Sequence, residues 1–510
     1  MTRSRRAAVA FSAIAAGVLV LVTAGGAAAA TSALPQAGPL NPAFVEALRD
    51  PIAGALGKLP DPVNVEVGPA VAARMAQRAE ALPSDYASSY DLRHLTDANG
   101  VTYSRLNAVR DQGSFGTCWA FANIAALESE LMPAERWEFS EDNLVTRSGF
   151  GPFGLSGVAK RWQAYDYGGW DFMAVAYFAR WAGPVTEKSD PYETPTPPTV
   201  NHVVKHVQGA VMYPGRPASD DSDTANGVIK QLVYTNGALS VGMFWNDDFA
   251  TSSGSGYYCP YAANDSYDGE TIGENHGVAI VGWNDAYPAA SFTTSAGGTP
   301  AGDGAFLVRN SWGKGFGEGG YFWVSYYDRS FARDECTSYS DVEAPGNYRR
   351  VYQYDKLGWT SAWGMGGKTE CWGANRFTAH GNGHIAAAGF YTRVAGTRYE
   401  IYAGSTFKTL KLRASGTSSL PGYATVKLTA PLAVTAGRRF VVAVHLVSPG
   451  TTAADRSPIA IENPATRWMA GAVARPGQSF MSLDGRHWTD LNADKPSAQA
   501  NVCLKAFATK

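Results

Sequence analysis

The stretch D-Q-G-S-F-G-T-C-W-A-F-A, residues 111 to 122, continues into N-I-A-A-L-E-S-E-L-M. It places a single thiol, Cys118, at the start of a helix, with Gln112 upstream on a glycine-rich approach. Gly113-Ser114-Phe115-Gly116 leaves backbone amides free, while Ala120, Ile124, Leu127 and Leu131 recur along one helical face and predict a largely buried helix. Cys118 then sits in the first turn, where the positive end of the helix dipole favours thiolate over thiol. Thiolate is the form that attacks carbonyl carbon, and the Gln112 amide supplies half of an oxyanion hole.

A base and a group to orient it follow in two strand-like runs. E-N-H-G-V-A-I-V-G-W-N-D (274 to 285) puts His276 ahead of a continuous apolar run; G-A-F-L-V-R-N-S-W-G (304 to 313) puts Asn310 at the end of another, followed by Trp312. A histidine can hold a thiolate as an imidazolium ion pair and later protonate a leaving amine. An asparagine oxygen accepting the other imidazole N–H fixes tautomer and ring orientation.

These blocks, Q-G-S-x-G-x-C-W, N-H-x-V-x-I-V-G-W and N-S-W-G-x-x-x-G-E-x-G-Y, resemble the papain family of cysteine peptidases. Weaker matches lie at 139 to 145, 165 to 192 and 229 to 245, so the resemblance covers residues 86 to 335. It implies an α+β peptidase domain of two lobes, one helical and one β-barrel-like, with Cys118, His276, Asn310 and Gln112 as the catalytic set. It also implies substrate-binding roles for Gly168-Gly169, the backbone rail for an extended peptide, for Trp312, which shields the His–Asn bond, and for Asp171. If Asp171 faces the pocket for the second residue before the scissile bond, it favours basic side chains there; a solvated loop carboxylate is the alternative. The chain departs from plant and lysosomal relatives at Phe115, Asp166 and Arg147, where those carry cysteines, so the usual disulfides of the first lobe are missing.

The remainder sets the context. Arg3, Arg5 and Arg6, an apolar run and Ala28-Ala29-Ala30 read as a signal peptide over residues 1 to 30, so the mature protein is secreted and extracellular. Ser4-Arg5-Arg6 hints at twin-arginine export, although Ala8 stands where a bulky residue is expected. Residues 31 to 85, with helix-like N-P-A-F-V-E-A-L-R-D and A-V-A-A-R-M-A-Q-R-A-E-A-L, form a pro-segment or a permanently packed N-terminal arm, with candidate processing points near Leu82 to Asp85. From 345 to 510, short alternating runs punctuated by Gly, Pro and Thr predict an all-β sandwich. V-Y-Q-Y-D-K-L-G-W and C-W-G-A-N-R-F-T-A resemble lectin-like domains of secreted bacterial papain-like peptidases, a likeness of shape that leaves glycan or cell-surface contact open.

Five cysteines in an exported chain leave Cys118 free and four others, Cys259, Cys336, Cys371 and Cys503, with three pairings. Cys371 with Cys503 and Cys259 with Cys336 is the preferred pairing, and a fully reduced set is the alternative. The net charge of −2 gives no reason to expect nucleic acid or anionic membrane as partners. No metal-ligand spacing of standard form occurs, so neither metal nor cofactor is expected. The reading is a secreted, monomeric cysteine endopeptidase made as an inhibited precursor and acting on protein or peptide substrates. The alternative is a catalytically silent secreted binding or adhesion protein on the same fold.

Overall fold

The computed structural model describes residues 34–49, 57–150, 161–193, 201–217, 223–494 and 498–510; the expected signal peptide lies outside them. Among the described residues no helix is long and apolar enough to cross a membrane.

The helix Cys118–Leu131 is largely buried, as its apolar run predicts: every residue in it except Glu130 is buried. It is wedged between a β-sheet and the helices Glu141–Arg147 and Asp171–Ala179, so it has no solvent face to offer. Its one buried amide is satisfied: Asn123 donates to the Trp119 carbonyl (2.9 Å) and to Asp171 Oδ1 (2.8 Å) and accepts from Tyr339 Oη (2.6 Å). The Glu141–Arg147 helix starts at Ser140, whose side chain accepts the Asn143 N–H.

The strand His276–Asn284 reads H-G-V-A-I-V-G-W-N and is buried along almost its whole length, as a strand covered on both faces should be. It pairs antiparallel with Leu239–Met243 on one side and with Ala305–Arg309 on the other. The register Ala279↔Arg309 brings the start of the first strand beside the end of the second, so His276 and Asn310 meet although far apart in sequence. Strand Cys336–Glu343, which follows the expected domain edge at 335, lies within this sheet between His206–Tyr213 and Leu239–Met243.

The C-terminal part is all-β. A six-stranded sheet centred on Arg439–Val447 and Glu370–Thr378 packs over strands Gly383–Thr392, Gly422–Val434 and Leu504–Thr509, enclosing Phe377, Phe390, Phe440, Val442 and Leu504. The second layer is continuous with the peptidase sheet, because Gly422–Ala424 pairs with Gly209–Val211.

All five cysteines are free and buried, which corrects the preferred disulfide pairing. Cys371 lies inside the sandwich with its thiol toward the Ser482 carbonyl, whereas Cys503 packs into the cluster beneath the Asp171 helix with its thiol toward the Gly358 carbonyl. Cys259 and Cys336 share one core but turn to the separate carbonyls of Tyr261 and Asp334.

The N-terminal arm laces the two parts together. Pro35–Ala37 adds a strand to the edge of Ser361–Met365. The two expected helices form as Pro42–Arg49, whose Phe44 packs edge-on against Trp170, and Pro69–Glu80, whose Ala76 lies against Gly227 of the helix Asp223–Asn236. Between them, residues 57 to 66 cross the face of the peptidase domain.

Candidate active site

Cys118 opens its helix after Thr117, and its sulfur accepts the Gly277 N–H at 3.1 Å. Gly277 is glycine because a Cβ there would press to 3.1 Å on the Trp119 backbone, and that close approach delivers the neighbouring His276 to the helix start. His276 Nε2 lies 2.8 Å from Asn310 Oδ1, a bond that assigns the proton to Nε2 and leaves Nδ1 as an acceptor. Nδ1 makes no hydrogen bond and is buried, so it is available to take a proton from the thiol. Trp312 stacks on the imidazole with centroids 4.6 Å apart, and Trp245 closes over Trp312 edge-on at 4.8 Å.

Gln112 is stitched to the Asn310 loop. Its N–H donates to the Ser311 carbonyl (2.7 Å), its Oε1 accepts from Ser311 Oγ (2.6 Å), and its Nε2 donates to the Phe115 carbonyl (2.6 Å). These bonds hold the side-chain amide in a fixed orientation.

The cleft over Cys118 is filled by the arm. Gly169 N–H donates to the Gly57 carbonyl (2.8 Å), Leu59 N–H donates to the Gly169 carbonyl (2.9 Å), and Lys58 N–H reaches across to the Asn275 carbonyl (3.2 Å). Residues 57 to 59 therefore pair with both walls. Close approach is what the glycines allow: a Cβ on Gly169 would lie 2.5 Å from the Trp119 ring, and one on Gly57, at φ +118°, would lie 2.2 Å from the Gly116 carbonyl. Lys58 turns inward, its Nζ 2.8 Å from Asp171 Oδ1 with both side chains fully buried. Asp171 thus faces a pocket and is not a solvated loop carboxylate.

Sealing this cleft sets its electrostatics. Burial pushes the Cys118 thiol up to about 12, against the opposing pull of the Gly277 N–H and the Lys58 charge. Burial likewise pulls His276 down to about 4, with the Asn310 bond working the other way. Both shifts run against the thiolate–imidazolium pair in this closed arrangement, because low dielectric disfavours both charges. For Lys58, burial pulls the ammonium down, but Asp171, Asp61 and Glu274 outweigh it and hold the group above its ordinary value.

The structure brings Cys118, Gln112, His276, Asn310 and Trp312 together and places Gly168, Gly169 and Asp171 on the same cleft. Lys58, Glu274 and Gly277 were not singled out in the sequence. Glu274 and Gly277 flank His276 closely enough to have been considered with it; nothing in G-A-L-G-K-L-P distinguishes Lys58 until it is seen in place.

Residues 87–345 match the model of the papain family cysteine protease, and 351–508 match that of the lectin like domain. The chain belongs to the papain family, with a lectin-like domain following the protease domain. It is similar to a cysteine protease of Blomia tropicalis (29% identical over 245 residues, 47% of this chain and 63% of the relative). It is also similar to cathepsin S of Mus musculus (29% over 215 residues, 42% and 53%). The chain thus spans between about half and two thirds of these relatives' lengths.

Among solved structures it resembles the cysteine protease and lectin-like domains of Cwp84, a surface layer associated protein of Clostridium difficile, at TM-score 0.72 and 21% identity, covering 93% of this chain and 98% of that one. Clostridial Cwp84 after propeptide cleavage gives TM-score 0.64 at 22% identity, over 79% of this chain and 97% of that one. At these identities the likeness is one of fold, and it extends across both domains.

Proposed function

We propose that the chain is a secreted cysteine endopeptidase that hydrolyses peptide bonds of protein substrates through Cys118, His276, Asn310 and Gln112, and that it is made as an inhibited precursor. The observation that carries this reading is the pairing of residues 57 to 59 with Gly169 and Asn275 directly over a buried Cys118. An extended backbone already lies where a peptide would have to lie, and it closes the nucleophile off from solvent. The fold neighbour described after propeptide cleavage covers less of this chain than the other, as expected if the arm corresponds to a removable segment. Export rests on the Arg-rich and apolar start of the sequence and fits the surface layer association of that neighbour.

Once the arm leaves, water enters and charge separation becomes affordable. The Cys118 proton passes to His276 Nδ1, and the thiolate attacks the peptide carbonyl carbon. The Cys118 backbone N–H and the Gln112 side-chain amide stabilise the oxyanion. The tetrahedral adduct collapses as imidazolium gives its Nδ1 proton to the leaving amine. A thioester joins Cys118 to the acyl fragment, and water deprotonated by His276 hydrolyses it, returning the thiol and releasing a carboxylate. Asn310 and Trp312 hold the ring in the orientation both proton transfers need.

Mass spectrometry of the secreted protein treated with an irreversible epoxide inhibitor of papain-type enzymes, beside a fluorogenic peptide panel, tests this. One adduct on Cys118 with matching loss of cleavage supports the reading and also reveals the mature N-terminus. An unlabelled Cys118 in processed, folded protein that cleaves no peptide refutes it.

A further inference from the structure

The charges of the chain nearly cancel in total, at −2, but they are not evenly spread. Residues 231 to 308 of the peptidase domain hold eight Asp and Glu and no Lys or Arg. Within the lectin-like domain the balance reverses: from residue 371 to 454, nine Lys and Arg stand against a single acid, Glu400. Such a local excess attracts anions whatever the net charge of the whole.

The fold gathers part of this excess at one end of the sandwich. Strand Arg350–Tyr352 pairs with Leu504–Thr509, which sets Arg349 and Arg350 beside the segment 381 to 383. The turn that leads into Arg439–Val447 reaches the same place: Ala436 N–H donates to Asn382 Oδ1 (2.9 Å) and Ala379 N–H donates to the Arg438 carbonyl (2.9 Å). Arg349, Arg350, Arg438 and Arg439 therefore stand around one loop. A cavity of about 230 Å³ opens there, lined by Arg349, Arg350, Asn382 and Thr509 among others and by no acidic residue.

Arg376 and Arg393 of the same domain are built into it, donating to the Gly477 carbonyl (3.1 Å) and the Asn64 carbonyl (2.9 Å). Arg349 and Arg350 are not: among the described residues neither guanidinium has a hydrogen-bond or ion-pair partner. Arg350 rests against bare backbone, because a Cβ on Gly381 would come within 2.5 Å of its Nη1. A guanidinium with free donors takes phosphate or carboxylate oxygens two at a time. The cavity is smaller than the roughly 300–1,000 Å³ that encloses a whole small-molecule ligand, so it seats one charged group of a longer molecule. Its aromatic residue, Tyr352, is buried and its hydroxyl accepts the His380 N–H (3.1 Å), which leaves no ring for stacking a base. The exposed large apolar side chains, Leu34, Val101, Leu412 and Val473, all lie outside its lining, so none is offered to lipid. Recognition by charge along a hydrophilic polymer is what this chemistry supports.

We propose that this end of the lectin-like domain binds an anionic polysaccharide, with Arg349 and Arg350 gripping a phosphate or carboxylate group of one repeating unit and Arg438 and Arg439 continuing the path. The site shares no residue with the cleft over Cys118, and it stands whether or not that cleft cleaves peptides.

The test uses the full chain carrying Cys118→Ala, so that the sample is not processed during the measurement. Isothermal titration is run with alginate, which carries carboxylates, with phosphorylated dextran and with unmodified dextran. The expected result is binding of at least one charged polymer, weakened by added salt, and none of unmodified dextran. Replacing Arg349 and Arg350 together by Gln should weaken binding about tenfold or more, as the loss of charged hydrogen bonds does. Arg398→Gln should stay close to wild type, since Arg398 pairs with Val447 at the far end of the strand that begins at Arg439. Arg350→Lys keeps the charge without the fork and should bind with intermediate affinity; it carries the test should the double variant fail to fold. Equal losses in the double variant and in Arg398→Gln, or an Arg350→Lys indistinguishable from wild type, overturn the assignment to these arginines. Binding confined to oligothymidylate or to phosphatidylglycerol vesicles overturns the polysaccharide. Unmodified dextran bound as tightly as the charged polymers, or no polymer bound at all, overturns the site.

Discussion

Replacing Lys58 by Met keeps the length and most of the apolar stem of the side chain and removes its charge. In the closed structure the ammonium lies 2.8 Å from Asp171, and both groups are fully buried. Removing one partner of such a pair typically costs about 3–5 kcal/mol, because the other is left uncompensated at low dielectric. If that cost falls on the closed state and is relieved when the arm lifts, the opening equilibrium shifts by roughly two to three and a half orders of magnitude, at about 1.4 kcal/mol per decade. The assay is the rate at which the epoxide labels Cys118 in freshly prepared full-length precursor at neutral pH, read by intact-mass spectrometry before processing begins. Labelling needs an open cleft, so Lys58→Met should react at least a hundredfold faster than wild type, while Lys58→Arg, which keeps the charge, should stay much closer to wild type. Added salt should not mimic the substitution, since a buried pair is poorly screened. Equal labelling rates for wild type and Lys58→Met would refute the argument that the ion pair holds the arm down.

Three further outcomes follow from the same geometry. Gly57→Ala places a Cβ 2.2 Å from the Gly116 carbonyl at φ +118°; the backbone strain alone is worth about 1–3 kcal/mol, so precursor labelling of Cys118 should accelerate at least tenfold. Asn310→Ala strips the partner from His276 Nε2 (2.8 Å), and an unpaired buried donor costs about 1–3 kcal/mol, so kcat/KM of the processed enzyme should fall roughly tenfold to a hundredfold with the fold intact by circular dichroism. Burial holds His276 at about 4 in the closed chain against an ordinary 6.5, so its neutral form contributes stability that is fully present above 6.5 and is lost as pH falls from 6.5 to 4. That loss reaches about 3 kcal/mol at the lower end; urea unfolding of wild type should therefore weaken more steeply across this window than that of His276→Gln, and parallel pH profiles would count against the assignment.

What could be read from the sequence divides along physical lines. That Cys118, Gln112, His276 and Asn310 come together was legible because each sits in a local context that constrains backbone geometry: a glycine-rich helix entry, the start of an apolar strand, the exit of another. The α+β peptidase domain followed from the resemblance to the papain family, and the all-β C-terminal domain from its short alternating runs. That the Cys118 helix is largely buried was legible, but which elements cover it was not, because its spacing marks the apolar positions and not their neighbours. The charge state of the closed site was not legible for a related reason: the helix dipole is local, whereas the burial that pushes the Cys118 thiol up and pulls His276 down depends on the packing around both. The thiols of Cys259, Cys336, Cys371 and Cys503 defeated pairing by count, since parity says nothing about which carbonyl each sulfur faces.

The lectin-like domain has a structural part in this site whether or not it touches a glycan. Trp359 stacks on Phe172 at 5.1 Å and Trp468 meets Tyr167 edge-on at 4.9 Å, so side chains from beyond residue 351 brace the segment that carries Gly168, Gly169 and Asp171. The same domain grips the arm on both sides of the cleft. Pro35–Ala37 lies on its Ser361–Met365 edge; Glu66 N–H donates to the Arg393 carbonyl (2.9 Å) and Thr452 Oγ1 donates to Glu66 Oε2 (2.7 Å). Anchors on either side keep residues 57 to 59 at a high local concentration over Cys118, and a cut beyond one anchor leaves the other in place. On the proposed reading of the arm as an inhibitor, its release requires it to give up contacts with two domains, and the continuous sheet across their boundary holds those contacts together: a lectin-like domain free to swing would let go of the arm while the peptidase domain still held it.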